Sequence, residues 1–179
     1  MVPRTALIVA VPEAEPLVGE WRERYDNARL GVPAHITLLF PFVAAEKADD
    51  PLLTELRELF ASQPATSFSL TRLADFPDET LWLVPEPSEP FRRLTVRIFE
   101  AYPDFPPYEG IHEQVIPHLT VTAGDSSLRA ELDAALTPHL PIEAEAREVT
   151  LLVEDDSGHW RSAERFPLGA TPEGSRPGG

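Results

Sequence analysis

No cysteine occurs among the 179 residues, so disulfides, thiolate metal sites and a cysteine nucleophile are all excluded. Positive charge is scarce: 15 Lys and Arg stand against 30 Asp and Glu, a formal charge of −15. A surface of that sign repels polyanions at long range and offers no footprint for duplex DNA. No apolar run approaches the roughly 20 residues that a membrane span requires, so no membrane partner is expected. The first apolar run, residues 5–12, lacks the basic region and small-residue cleavage site of a secretory leader, and the expectation is a cytoplasmic protein. Gly-rich phosphate loops, dinucleotide fingerprints and the G-x-S-x-G elbow are missing. So are histidine spacings such as H-x-x-x-H or H-x-E, and neither a metal nor a cofactor is expected.

What is present is ordinary for a globular chain, with 42% hydrophobic and 25% charged residues and a length that suits one well-buried core. The 20 prolines fall mostly between periodic segments and punctuate them. Residues 5–12 read as a buried strand. Residues 13–27 read as a helix, with Leu17, Val18, Trp21 and Tyr25 at helical spacing and Gly31 beyond its end. Residues 35–42 have strand composition, and 50–62 have a helical stripe capped by Asp50 with Pro51 in first position. Strands at 68–76 and 80–85 form a hairpin. In the second half the same order returns: a helix over 88–102 capped by Ser88, a strand over 114–123, a helix over 126–137, and a hairpin over 147–153 and 159–168 around Asp155 to Gly158.

The two halves, about 5–86 and 87–168, therefore share a pattern of helix, strand opening on His-x-Thr, helix, hairpin. This predicts an α+β fold of duplicated lobes, antiparallel sheets with helices outside, facing across a central groove. A single domain over 1–168 and a disordered tail over 169–179 complete the expectation, with the chain a monomer.

Side chains two apart on a strand share a face. His35 and Thr37 then point one way and Ile36, Leu38 and Phe40 the other; His118, Thr120 and Thr122 oppose Leu119 and Val121. Such a triplet is weak alone, and each could be a half-exposed strand position with a satisfied hydroxyl. Two copies at matching places in a repeat, 118 − 35 = 83 residues apart, are stronger. His112, His139 and His159 stand in loops or turns and are expected to face solvent; for His112, which precedes the second strand, lining the groove is the alternative. Trp82 and Trp160 are expected in the core, and Arg92, Arg93 and Arg97 on a solvated helix face.

The stretches His35-Ile-Thr-Leu-Leu-Phe-Pro-Phe and Pro117-His-Leu-Thr-Val-Thr resemble the paired signature of the 2H phosphoesterase superfamily. The likeness is to its branch of 2′-5′ RNA ligase-like proteins, or RNA 2′,3′-cyclic phosphodiesterases. Over residues 4–168 that resemblance implies a bilobal fold and a metal-independent phosphodiesterase. It implies His35 and His118 as catalytic acid and base, His118 the base in hydrolysis, with Thr37 and Thr120 on the phosphate. The partner would be a small nucleotide or an RNA end bearing a phosphodiester. Imidazole suits both proton tasks because either of its forms is accessible near neutral pH. Two other readings stand beside it: a non-catalytic nucleotide-binding module of the same fold, and a structural domain in which both triplets are chance.

Overall fold

The structure, a computed structural model, describes residues 2–110 and 114–169. Its elements run β1 (Thr5–Ala10), α1 (Glu15–Tyr25), β2 (His35–Leu39), α2 (Asp50–Ala61), β3 (Thr66–Asp75), β4 (Leu81–Glu86), α3 (Glu89–Ala101), β5 (Leu119–Thr122), α4 (Arg129–Leu136), β6 (Ile142–Ala146), β7 (Glu148–Glu154) and β8 (Trp160–Pro167), with short 3-10 turns between. They build two four-stranded antiparallel sheets, ordered β2-β1-β7-β8 and β5-β4-β3-β6. The fold is α+β with two lobes, as the repeat predicts.

The lobes do not coincide with the halves of the chain. Hairpin β3–β4 joins β5 and β6, and hairpin β7–β8 joins β1 and β2. Each lobe therefore borrows strands from across the repeat, which ties both into one hydrophobic core. β1 faces two clusters: Leu7 and Val9 join this main core, while Ala6 and Ile8 form a second, smaller one on the other side of the sheet with Val32 and Leu152. Each fully buried Leu, Ile or Val side chain among them contributes about 1.5–3 kcal/mol through area removed from water. Phe60 of α2 packs on Phe166 of β8 at 5.6 Å, and Phe91 of α3 meets Phe68 of β3 edge to face at 4.9 Å.

Local departures from the expected pattern have physical causes. The cap of α2 is Asp49, whose carboxylate accepts from the Leu52 N–H; Asp50 already lies inside the helix. Ser88 precedes α3 without capping it by its side chain. β5 spans only Leu119–Thr122, because Pro117 carries no N–H for a ladder and the carbonyls of Val115 and Ile116 are bonded to side chains. β6 went unread because Ile-Glu-Ala-Glu-Ala has weak strand composition; it is an edge strand held by β3. Gly169 is not loose, since it exchanges hydrogen bonds with Gln63 and Ala65. Residues 170–179, the rest of the expected tail, and His112 lie outside the described residues. Among the described residues no helix is long and apolar enough to cross a membrane.

Candidate active site

β2 and β5, the two strands that carry the triplets, are edge strands of different sheets, and their edges lie against each other. The alternation along β2 holds: Ile36 and Leu38 are buried in the main core, while His35 and Thr37 are only half-buried on the opposite face. His118 sits one residue before β5, with Thr120 half-buried beyond it.

Both imidazoles are held alike. His35 Nδ1 donates to the Pro33 carbonyl at 2.7 Å, and His118 Nδ1 donates to the Ile116 carbonyl at 2.7 Å. A carbonyl can only accept, so each neutral ring carries its proton on Nδ1 and presents Nε2 as the reactive nitrogen. Thr37 Oγ1 lies 3.1 Å from His35 Nε2 and donates to it in that state. The backbone before His35 is pinned by α1: Glu15 Oε1 accepts from the Ala34 N–H at 2.6 Å, and Arg22 Nη1 donates to the Val32 carbonyl at 3.1 Å.

Burial pushes the His35 pKa down to about 4, helped by the nearby Arg22 charge and by His118 across the groove, against the Pro33 hydrogen bond. Burial lowers His118 too, opposed by its bond to Ile116 and by the Asp78 carboxylate. Both rings are therefore neutral at pH 7 in the empty protein.

The walls beside the two histidines differ. Next to His35 and Thr37 opens a cavity of about 250 Å³ with a floor of Ala6, Ile8, Val32 and Leu152. Phe40 and Trp160 meet edge to face at 5.9 Å on its side. Arg4 reaches over the Phe40 ring at 5.0 Å and pairs in two-pronged fashion with Glu154, at 2.9 and 3.1 Å. Next to His118 the corresponding space is filled: Trp82 stacks on Phe76 at 4.7 Å, and both stand edge-on to the imidazole, at 5.8 and 4.9 Å.

The sequence placed Trp160 in the core; the structure puts it half-buried at the cavity, because β8 pairs with β7 and Trp160, at its start, packs against the second cluster of Ala6, Ile8, Val32 and Leu152. Trp82 is buried, as expected, but against His118. His139 and His159 are exposed. Arg93 and Arg97 are exposed on α3, whereas Arg92 turns back and donates from Nε to the Val115 carbonyl at 3.1 Å. Asn27, Arg4 and Glu154 were not singled out by sequence, and no local signal marks them: the pairing of β1 with β7 brings Arg4 and Glu154 together at the cavity, and Asn27 is held there from beyond α1 by Arg22. Among the described residues no three His, Asp or Glu side chains gather as a metal site.

The sequence model of the 2′-5′ RNA ligase superfamily matches residues 10–158. Two proteins named "Putative phosphoesterase" are similar along most of their length. That of Geobacillus kaustophilus is 27% identical over 166 residues, covering 87% of this chain and 90% of its own; that of Bacillus licheniformis is 26% identical over 161 residues, covering 87% and 92%. Escherichia coli LigT, crystallised with 3′-AMP, shares the fold with a TM-score of 0.63 at 17% identity, over 94% of this chain and 99% of that one. The same protein crystallised with ATP superposes with a TM-score of 0.58 at 21% identity, over 94% and 99%.

Proposed function

The chain belongs to the 2′-5′ RNA ligase superfamily, and we propose that it is a metal-independent phosphodiesterase acting on 2′,3′-cyclic or related 2′-5′ phosphodiesters of nucleotides or RNA ends. The observation that carries this reading is the matched pair of imidazoles, each fixed through Nδ1 to the carbonyl two residues before it, on strand edges that meet. Two Nε2 atoms so presented can serve the two sides of one phosphorus.

In hydrolysis, water attacks phosphorus in line with a ribose oxygen. One imidazole takes a proton from the water as the new P–O bond forms; the other gives its proton to the departing alkoxide as the old P–O bond breaks. The pair ends with its proton exchanged, and solvent resets it. His118 as base and His35 as acid is the division the resemblance implies. A protonated His35 no longer needs the Thr37 proton, so that hydroxyl turns to a non-bridging oxygen, with Thr120 doing likewise from the other strand. The nucleoside would lie in the apolar cavity beside His35. The nucleotides bound by LigT support ligands of this size.

The test is turnover of nucleoside 2′,3′-cyclic phosphates with EDTA present. His35→Ala and His118→Ala should each lower kcat by about a hundredfold or more, and the double variant should lose little further, because the two act as a unit. Binding without turnover would leave the nucleotide-binding module as the function. Loss of activity in EDTA, restored by zinc or manganese, would end the metal-free mechanism.

A further inference from the structure

The two histidines share one more feature. Arg22 of α1 donates from Nη1 to the carbonyl of Val32, three residues before His35, at 3.1 Å. Arg92 of α3 donates from Nε to the carbonyl of Val115, three residues before His118, also at 3.1 Å. In both copies the next carbonyl along but one from the histidine accepts from the imidazole itself. α1 follows β1 and leads to β2; α3 follows β4 and leads to β5, so the arginines come from equivalent helices of the repeat. A guanidinium can clamp a backbone carbonyl and still hold a carboxylate, since its five N–H donors point in a fixed fork.

The settings of the two differ in a way that separates function from stability. Arg22 is buried, 1% exposed, and also bonds the Asp26 carboxylate at 3.2 and 3.0 Å and the Asn27 Oδ1 at 2.7 Å. It could be explained as a core ion pair. Arg92 has a side chain 43% exposed and a loose pair with Glu89 at 3.6 Å, so no buried charge needs it. What the two have in common is the carbonyl before a histidine.

We propose that Arg22 and Arg92 are a matched pair of positioning residues, each fixing one imidazole through the backbone carbonyl three residues before it. This rests on the acid–base reading above. Arg92 acts through geometry alone. Arg22 adds its charge, and the other ionisable groups around His35 are His118 from the β5 side, Arg4 and Glu154 across the cavity, Glu15 on α1 and Asp26 behind Arg22.

The experiment compares Arg92→Met, Arg92→Lys and Arg22→Met with the wild type in kcat, KM and imidazole 15N NMR. Arg92→Met, a surface change, should keep its fold and KM and lose about tenfold or more in kcat, given that a misplacement of about 1 Å costs about a hundredfold. Its His118 should lose the fixed Nδ1–H tautomer, and Arg92→Lys, which can still reach a carbonyl, should recover part of both. Arg22→Met should raise the His35 titration only in part from about 4, since burial, the larger cause, remains. Folded Arg92→Met with wild-type kcat and an unchanged His118 tautomer overturns the proposal, whatever the Arg22 variant does. If the wild type hydrolyses no phosphodiester, the phosphodiesterase reading fails; loss of the His118 tautomer in Arg92→Met would still uphold the positioning role, and its retention would overturn that too.

Discussion

On the proposed reading, proton uptake on substrate binding is the sharpest consequence of the site. In the free protein burial and the Arg22 charge hold His35 at about 4, and burial lowers His118 as well. A working pair needs one proton shared between the two rings. Above the pair's upper apparent pKa, which lies below the ordinary value of about 6.5, that singly protonated form declines about tenfold per pH unit. kcat/KM reports the free enzyme, so it should peak in mildly acidic solution and drop about tenfold between about pH 7 and pH 8. Bound phosphate changes the balance. A unit negative charge about 4 Å from an imidazolium, at an effective dielectric of about 20, is worth about 4 kcal/mol. At about 1.36 kcal/mol per pH unit this equals about three units, enough to lift His35 from about 4 to about 7. The alkaline limb of kcat, which reports the complex, should therefore lie well above that of kcat/KM. The assay is initial rates on a nucleoside 2′,3′-cyclic phosphate from about pH 4 to about pH 9 at fixed ionic strength. Coincident alkaline limbs, or kcat/KM flat to about pH 8, would refute the argument.

Other consequences are simpler to check. His35, buried neutral, binds fewer protons than its unfolded counterpart, so folding stability should fall as pH drops from about 6.5 to about 4, by about 3 kcal/mol for this residue, and His35→Gln should flatten that slope in denaturant titrations. Gly31 has φ +89° and a Cβ there would run into the Trp160 carbonyl, whereas Gly158, at φ +82°, has open space. Gly31→Ala should destabilise clearly more than the strain-only cost of about 1–2 kcal/mol expected for Gly158→Ala; equal losses would deny the close approach. Arg4 is paired with Glu154 and Arg22 with Asp26, so neutral donors would hold the phosphate. The log–log salt slope of KM should then be about one or less for both a cyclic mononucleotide and an oligonucleotide ending in the same group.

How much of this was legible in the sequence depended on whether a feature is local. The strand alternation that puts His35 and Thr37 opposite Ile36 and Leu38 is a period of two, and it reads directly from the chain. The stripe of α2 and the turn of the β7–β8 hairpin are equally local. Sheet partnership is not. Nothing in residues 147–168 says that they lie beside β1 rather than beside β5, so the exchange of hairpins between lobes, the cavity and the role of Trp160 were all out of reach. Arg92 illustrates the same limit within one helix: its neighbours Arg93 and Arg97 are solvent-exposed as their polarity suggests, and only the path of residues 114–118 supplies it with a carbonyl.

The repeat gives two equivalent histidines, and a single cross-strand position makes their surroundings unequal. Ile8 on β1 lies opposite Thr37; on the second lobe Trp82 of β4 lies opposite Thr120. The small side chain leaves the cavity beside His35 open, while the indole, stacked on Phe76, occupies the matching space beside His118. On the proposed reading a nucleoside can then enter from the first lobe only. Its ribose oxygen leaves toward His35 and water approaches from His118, which is the acid–base division the resemblance implies. Trp82→Ile copies the first lobe onto the second. It sacrifices buried aromatic area, so a stability loss of up to about 3 kcal/mol is expected. If the indole is what excludes a second nucleoside, kcat/KM for a 2′-5′ dinucleotide should rise relative to that for a cyclic mononucleotide. The ratio, measured on folded variant, cancels any general loss of activity. An unchanged ratio would mean that the Phe76–Trp82 wall does not set which side of the phosphate carries the base.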